Sequence, residues 1–318
     1  MSTARIPQLD LSDYSKGTPA QRERFIAAFG DGIKAFGFVS LTHHGVDDAL
    51  IRRTYADAAT LFALPSEAKH ALEVPGGGGQ RGYTGYGKEH AKNRAVGDMK
   101  EFFHIGRDLA QGHPRAGAYG NNVWPKELKT FKENSLALFQ ALDGAASVML
   151  RALADYFKVP QGTFSDMARE GNSILRIIHY PPLKKRFIPG AVRAAEHEDI
   201  NLITLLCEST SSGLEILTRQ GDWIAVEALK GQIVVDSGDM LSRVTNEVVP
   251  ATTHRVVNPK SADDDIERYS MPFFVHPYPD CSLAVLDACT SQDNPARYPP
   301  MTADAFLRQR LKEIGLMK

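Results

Sequence analysis

The chain is short of everything that would mark it as disulfide-stapled, membrane-borne or nucleic-acid-binding. Its 318 residues hold only three cysteines, Cys207, Cys281 and Cys289, with no Cys-x-x-Cys spacing. That excludes a zinc ribbon or a dithiol redox pair, and an odd count in a chain of this size argues against a disulfide framework. A reducing, cytoplasmic setting is the expectation. Neither sign of charge is in excess, since 37 Lys and Arg stand against 38 Asp and Glu for a net charge of −1. An anionic partner, whether nucleic acid or membrane surface, therefore has no electrostatic support. No apolar run reaches the ~18 residues that read as a membrane span. Met1 to Asp10 lacks the apolar segment of a signal peptide.

Core material, by contrast, is ample. Hydrophobic residues make up 43% of the chain and charged residues 24%, which excludes a disordered or collagen-like protein. The length suggests roughly two domains, or one large β-based domain with helical additions.

Helical periodicity dominates the first half. Phe25, Ile26, Phe29, Ile33 and Phe36 mark one face of a helix over Pro19 to Phe36. Phe38 to Thr42 reads as a short strand, Asp47 to Phe62 as a second helix, Ser66 to Ala71 as a short one, and Pro125 to Phe157 as a long one. From about Ser173 the pattern changes to short β-rich runs: Ile174–Tyr180, Ile200–Cys207, Leu214–Leu217, Trp223–Val226, Gln232–Asp236, Val249–Val257 and Arg268–Val275. Gly-Asp and Lys-Gly pairs supply turns between several of them. Short strands at such spacing imply an antiparallel sandwich or barrel rather than a βαβ sheet. A last helix, Ala303 to Ile314, packs back on the body. The expected class is α+β: a mainly helical region over 1–170, a double-sheet core over 171–285 and a helical extension over 286–318.

Gly77-Gly78-Gly79-Gln80-Arg81-Gly82 formally satisfies G-x-G-x-x-G. A dinucleotide site needs that motif between a buried strand and the start of a helix, and neither flanks it here. A loop near an active-site mouth is the better reading. His43, His44, His90 and His113 lie in turn or helix-edge contexts and read as surface or capping residues.

Chemistry gathers in the β half. In Ala195-Glu196-His197-Glu198-Asp199 an extended backbone puts His197 and Asp199 on one side. A second isolated histidine, His254, lies in the run Thr252-Thr253-His254-Arg255-Val256. Two imidazoles and a carboxylate form the facial triad that binds non-haem Fe(II) with positions left open for ligands. A structural zinc site would close its shell with four ligands. Next comes Arg268-Tyr269-Ser270, where a guanidinium and a hydroxyl share a face and suit a carboxylate.

His197-x-Asp199, His254 and Arg268-x-Ser270 together resemble the signature of the 2-oxoglutarate-dependent Fe(II) dioxygenases, within the group containing isopenicillin N synthase. Similar stretches run along nearly the whole chain in order. They include Ile6-Pro7-Gln8-Leu9-Asp10, His44-Gly45-Val46, Arg176 with Tyr180-Pro181-Pro182, Gly238-Asp239-Met240-Leu241 and Ser270-Met271-Pro272-Phe273-Phe274. The resemblance implies a double-stranded β-helix, or jelly-roll, usually monomeric. It assigns iron to His197, Asp199 and His254, and the distal carboxylate of 2-oxoglutarate to Arg268 and Ser270 with help from Tyr180. Plant-type members usually carry Asn two residues before that tyrosine, where this chain has Ile178.

The implied reaction consumes dioxygen and 2-oxoglutarate and releases succinate and carbon dioxide. It oxidises an unactivated C–H bond of a small molecule by hydroxylation, desaturation or ring closure. An isopenicillin N synthase-type oxidase that dispenses with 2-oxoglutarate is the rival, although the ending Gly315-Leu316-Met317-Lys318 lacks that enzyme's Gln-Thr tail. A non-catalytic jelly-roll that binds a small acid is the third reading. Arg81 before Gly82-Tyr83 resembles a position where isopenicillin N synthase holds a substrate carboxylate, which suggests an acidic or amino-acid-like substrate. Tyr83, Phe102, Phe103 and His104 are read as loop residues lining the entrance.

Overall fold

A computed structural model describes residues 5–91, 96–227, 230–261, 265–314 and 316. Residues 1–4 of the leading segment and residues 315, 317 and 318 of the tail lie outside the described residues. Strands β1 (Gln8–Asp10), β2 (Phe38–Thr42), β3 (Gly82–Thr84), β4 (Glu101–Gly106) and β5 (Ile174–Tyr180) come first. Then follow β6 (Ala194–His197), β7 (Ile203–Cys207), β8 (Leu214–Leu217), β9 (Trp223–Ala225) and β10 (Ile233–Ser237). β11 (His254–Val256), β12 (Arg268–Ser270) and β13 (Pro272–Val275) complete the set. The larger sheet runs β1-β2-β10-β7-β13-β5-β4-β3, with β12 also on β5, and the smaller runs β6-β11-β8-β9. This is the expected double-sheet jelly-roll.

Side-chain parity gives the larger sheet two different faces. Leu175 and Ile177 of β5, Ile203 and Leu205 of β7, Ile233 and Val235 of β10, and Phe273 and Val275 of β13 belong to the main hydrophobic core. Their alternates Ile178, Tyr180, Thr204, Leu206, Val234, Asp236, Pro272 and Phe274 line a cavity between the sheets. Helices Pro19–Phe36, Asp48–Phe62 and Lys129–Phe157 cover the core face. The last is long and apolar enough to cross a membrane by length and composition. Its Phe131, Leu138, Leu142, Met149 and Leu153 are instead fully buried in the core.

Local signals explain the ends of the first long helix. Thr18 and Gln21 form a reciprocal capping box, and Pro19 opens the first turn. Gly37 closes it at φ +67°, where an added Cβ would stand 2.0 Å from Thr252 Oγ1.

Strands β1, β3 and β4 were not foreseen, since β1 and β3 have three residues each and β4 is buried on both faces, whereas β6 overlaps the extended segment read at 195–199. Val249–Val257 shrinks to β11, with Pro250 unable to donate to a ladder. Arg268–Val275 is interrupted at Met271 before Pro272, yet β12 and β13 keep one antiparallel register against β5.

Phe273 joins sheet to helix, with no exposed surface and an edge-to-face contact to Phe139 at 4.9 Å. Phe273→Ala should lower stability by about 3–5 kcal/mol. Urea unfolding would register this as an earlier midpoint at unchanged slope.

Candidate active site

The small sheet builds the metal-ligand cluster. β6 and β11 pair antiparallel with His197 directly opposite His254, and the two ring centroids lie 4.3 Å apart. Asp199 follows β6, its Oδ1 4.0 Å from His197 Nε2 and 3.9 Å from His254 Nε2. One ligand atom from each residue lies within 4.8 Å of the others. The remaining ring nitrogens are already engaged. His197 Nδ1 bonds the Ala195 carbonyl at 2.7 Å and His254 Nδ1 the Thr252 carbonyl at 3.1 Å. Donation to a carbonyl fixes each proton on Nδ1 and turns the Nε2 lone pair toward Asp199.

Neighbours orient the carboxylate as well. Thr204 donates its hydroxyl to Asp199 Oδ2, and Asn201 Nδ2 donates to Thr204 Oγ1 at 2.7 Å. Oδ1 is left facing the imidazoles. Burial, and then the adjacent His254, hold His197 down at about 4, so the ring is neutral near pH 7 and suited to a cation. Burial and the Asp199 charge push Asp236, behind His254, well above the usual carboxylate range. The donor set of two neutral imidazoles and one carboxylate fits Fe(II) with positions to spare.

An inner cavity of about 60 Å³ extends from the cluster to Arg268, Ser270 and Tyr180. Arg268 is 1% exposed and lies over the Tyr180 ring, 4.9 Å from its centroid. Its Nε donates to the Ser211 carbonyl at 3.2 Å, whereas its buried Nη1 has no partner. An unpaired guanidinium nitrogen on the wall of a closed pocket calls for an anion. The carboxylate end of 2-oxoglutarate meets that demand.

An outer cavity of about 290 Å³ opens on the other side of His197 and Asp199. Leu307 and Leu311 of the helix Ala303–Glu313 form an apolar wall with Ile174 and Phe274. The opposite wall is charged. Arg176 meets Glu89 through both terminal nitrogens at 3.0 and 2.9 Å, and its Nε donates to His104 at 2.5 Å. Lys100 bonds Glu89 and Asp98, each at 2.8 Å. Lys100 and Arg176 line both cavities and so stand at the neck between them.

Two expected substrate contacts are corrected. Arg81 is 2% exposed and lines neither cavity. Its nitrogens donate to the Gly120 and Gln80 carbonyls and to Asn172 Oδ1. Phe103 is fully buried on the helical face of β4, edge-on to Phe131 at 5.3 Å. Tyr83 also belongs to that core. These residues are strand, not loop, and parity decides their direction: of the β4 pair, His104 lines the outer cavity and Phe102 packs with Ile178 and Tyr180. Of the histidines set aside, His90 also lines the outer cavity, and His44 is buried with its Nδ1 accepting from Val46 N–H. Sequence reading passed over Glu89, Lys100 and His276, the last a buried ring on the outer cavity with no partner for Nδ1.

Comparison with known proteins agrees with this geometry. Residues 171–277 match the profile of the 2OG-Fe(II) oxygenase superfamily, and residues 6–127 match the non-haem dioxygenase N-terminal region described for morphine synthesis. A 2-oxoglutarate-Fe(II) type oxidoreductase of Aspergillus fumigatus is 31% identical over 96% of this chain and 92% of its own. A 2OG-Fe(II) oxygenase family protein from Caulobacter crescentus is 40% identical with a TM-score of 0.87, covering 98% of this chain and 100% of that one. A Neurospora crassa protein crystallised with alpha-KG and thymine is 28% identical with a TM-score of 0.85, over 96% of both chains. The fold and site define a non-haem iron oxygenase. The chain belongs to the 2-oxoglutarate/Fe(II) oxygenase superfamily and uses Fe(II), 2-oxoglutarate and dioxygen.

Thr204 reaches the metal-ligand cluster through its hydrogen bond to Asp199. Thr204→Val should weaken Fe(II) binding by about 10–100-fold with the fold intact, as measured by anaerobic metal titration.

Proposed function

We propose that His197, Asp199 and His254 hold the iron of this oxygenase, and that Arg268, Ser270 and Tyr180 hold the far carboxylate of 2-oxoglutarate. The reading rests on one observation above all: the unpartnered Arg268 Nη1 opens onto the same small cavity as the three metal-ligand candidates. When bound, the iron supplies the oxidation of a substrate C–H bond coupled to decarboxylation of the cosubstrate. The protein does the rest. The carbonyls of Ala195 and Thr252 keep both Nε2 atoms aimed, Thr204 keeps Asp199 Oδ1 forward, and the apolar residues around Arg268 exclude water from its ion pair.

The substrate is a small molecule seated in the outer cavity. Arg81 no longer argues for a substrate carboxylate. Glu89 and Asp98 already neutralise Lys100 and Arg176, and the remaining wall carries Glu196, Glu198, Asp239 and Glu313 against Arg310, with Arg255 paired to Glu196. Burial, with Glu198 nearby and against the pull of Arg310, lifts Asp239 to about 7. A compact amine- or amide-bearing molecule suits such a wall better than an acid. Relatives support only small size, one being named a proline hydroxylase and another crystallised with thymine. The buried free thiols of Cys207, Cys281 and Cys289 accord with a cytoplasmic location.

Asp199→Ala should lose both Fe(II) binding and succinate formation. Arg268→Gln should keep the metal but raise the KM for 2-oxoglutarate by about 10–150-fold, the cost of charge-assisted hydrogen bonds. Succinate release at wild-type levels from Asp199→Ala, or an unchanged KM for 2-oxoglutarate in Arg268→Gln, would refute the assignment. Across a panel of candidate compounds, amines and amides should trigger succinate release ahead of simple carboxylates.

A further inference from the structure

On β5 this chain lacks the polar Asn that plant-type relatives usually carry two residues before the tyrosine. The residue two before Tyr180 is Ile178, whose side chain faces the inner cavity. An oxygen-rich ligand chelated there would meet hydrocarbon from this strand.

The residue just before β4 brings a cation to the same cavity wall. In the β4–β5 register Glu101 pairs with His179 and Phe102 with Ile178. Lys100, one residue before the strand, therefore falls opposite Tyr180 on the cavity face shared with Phe102 and Ile178, and its side chain lines both cavities with His197 and Asp199. Its side chain is 5% exposed. Nζ bonds Glu89 Oε1 and Asp98 Oδ2, each at 2.8 Å, and an ammonium has three N–H groups to give. One is uncommitted by these bonds, in a residue that lines both cavities alongside His197 and Asp199. Despite the cost of burial, Glu89 and then Asp98 keep Lys100 charged, above the ordinary amine range.

We infer that Lys100 is a second anchor for 2-oxoglutarate, its third N–H donating to the carboxylate at the iron end. The inference rests on the reading that Arg268 and Ser270 hold the opposite carboxylate. Glu89 and Asp98 serve as the scaffold that aims the ammonium. Arg176 shares Glu89, so the two cations and two acids cancel. The neck then presents a directed donor rather than a broad positive field, which holds one carboxylate without drawing other anions into the outer cavity.

The test is equilibrium binding of 2-oxoglutarate to the full-length Fe(II) protein without oxygen, followed by calorimetry and by the visible absorption of the chelate. Lys100→Met should raise Kd about 10–100-fold, while Lys100→Arg, which keeps charge and donors, should bind closer to wild type. Combined with Arg268→Gln the losses should multiply, because the two residues grip opposite ends. An unchanged Kd in a normally melting Lys100→Met variant, beside a clear loss in Arg268→Gln, overturns the role of Lys100 alone. An unchanged Kd in Arg268→Gln would overturn the underlying anchor reading instead. Should Lys100→Met not fold, Lys100→Gln carries the test: affinity equal to wild type refutes the inference, and a weakened Kd with Lys100→Arg near wild type supports it.

Discussion

The site depends on one antiparallel pairing, that of Ala194–His197 with His254–Val256. It sets two imidazoles side by side, their centroids 4.3 Å apart and their planes tilted by 54°, and leaves only the carboxylate to be placed. The turn after β6 does this by locking onto the start of the helix Asp239–Val244. Asp239 N–H bonds the Asp199 carbonyl at 2.7 Å, and Met240 N–H bonds the Asn201 carbonyl at 3.0 Å. Gly238 makes the approach possible, since a Cβ there would lie 2.4 Å from the Asn201 carbonyl oxygen and 2.7 Å from that of Asp199. Backbone geometry thus fixes the triad before any metal arrives. The protein's contribution to metal affinity is preorganisation.

From that fixed point, strand parity separates the tasks of the larger sheet. Leu175, Ile177, Ile203, Leu205, Ile233, Val235, Phe273 and Val275 go to the hydrophobic core, and the residues alternating with them line the cavities. A one-residue slip in β12 or β5 would exchange Arg268 for Tyr269 on the pocket face and bury the guanidinium against helices. Register is therefore a functional constraint as well as a packing one. The bulky core residues Leu175, Ile177 and Phe273 hold it, because a slipped strand would turn them toward the polar cavity.

How much of this was readable in advance follows the same division. His197, Asp199, His254, Arg268 and Ser270 were legible because each lies in or beside a strand whose own alternation fixes its direction. The long helices were legible from their apolar stripes and from signals such as Thr18, Pro19 and Gly37. Strands β3 and β4 were not, since Glu101–Gly106 is buried on both faces and shows no polar alternation. Phe103 was misplaced for that reason: without a strand assignment there is no parity, and Phe102 and Phe103 cannot be told apart. Arg81 failed differently. Its sequence neighbours match, but its guanidinium is consumed by carbonyls of residues 120 and 80 and by Asn172, contacts that only the folded chain brings together.

The two cavities rest on unlike supports, and that difference bears on how such an enzyme acquires a substrate. The inner cavity is walled by paired strands, where any shift breaks a hydrogen-bonded ladder. One wall of the outer cavity comes from the helix Ala303–Glu313, joined to the metal side through Arg310 and Asp239 at 3.1 Å. Leu307 and Leu311 touch the cavity from successive turns of that helix, so exchanging them alters the shape and polarity of the proposed substrate cavity. None of the residues proposed to hold the metal or the cosubstrate lies on the helix. Substitutions there are consequently free to redirect specificity at small cost to the oxidation chemistry. The neck residues Lys100 and Arg176 have no such freedom, since each is tied to Glu89 and faces both compartments.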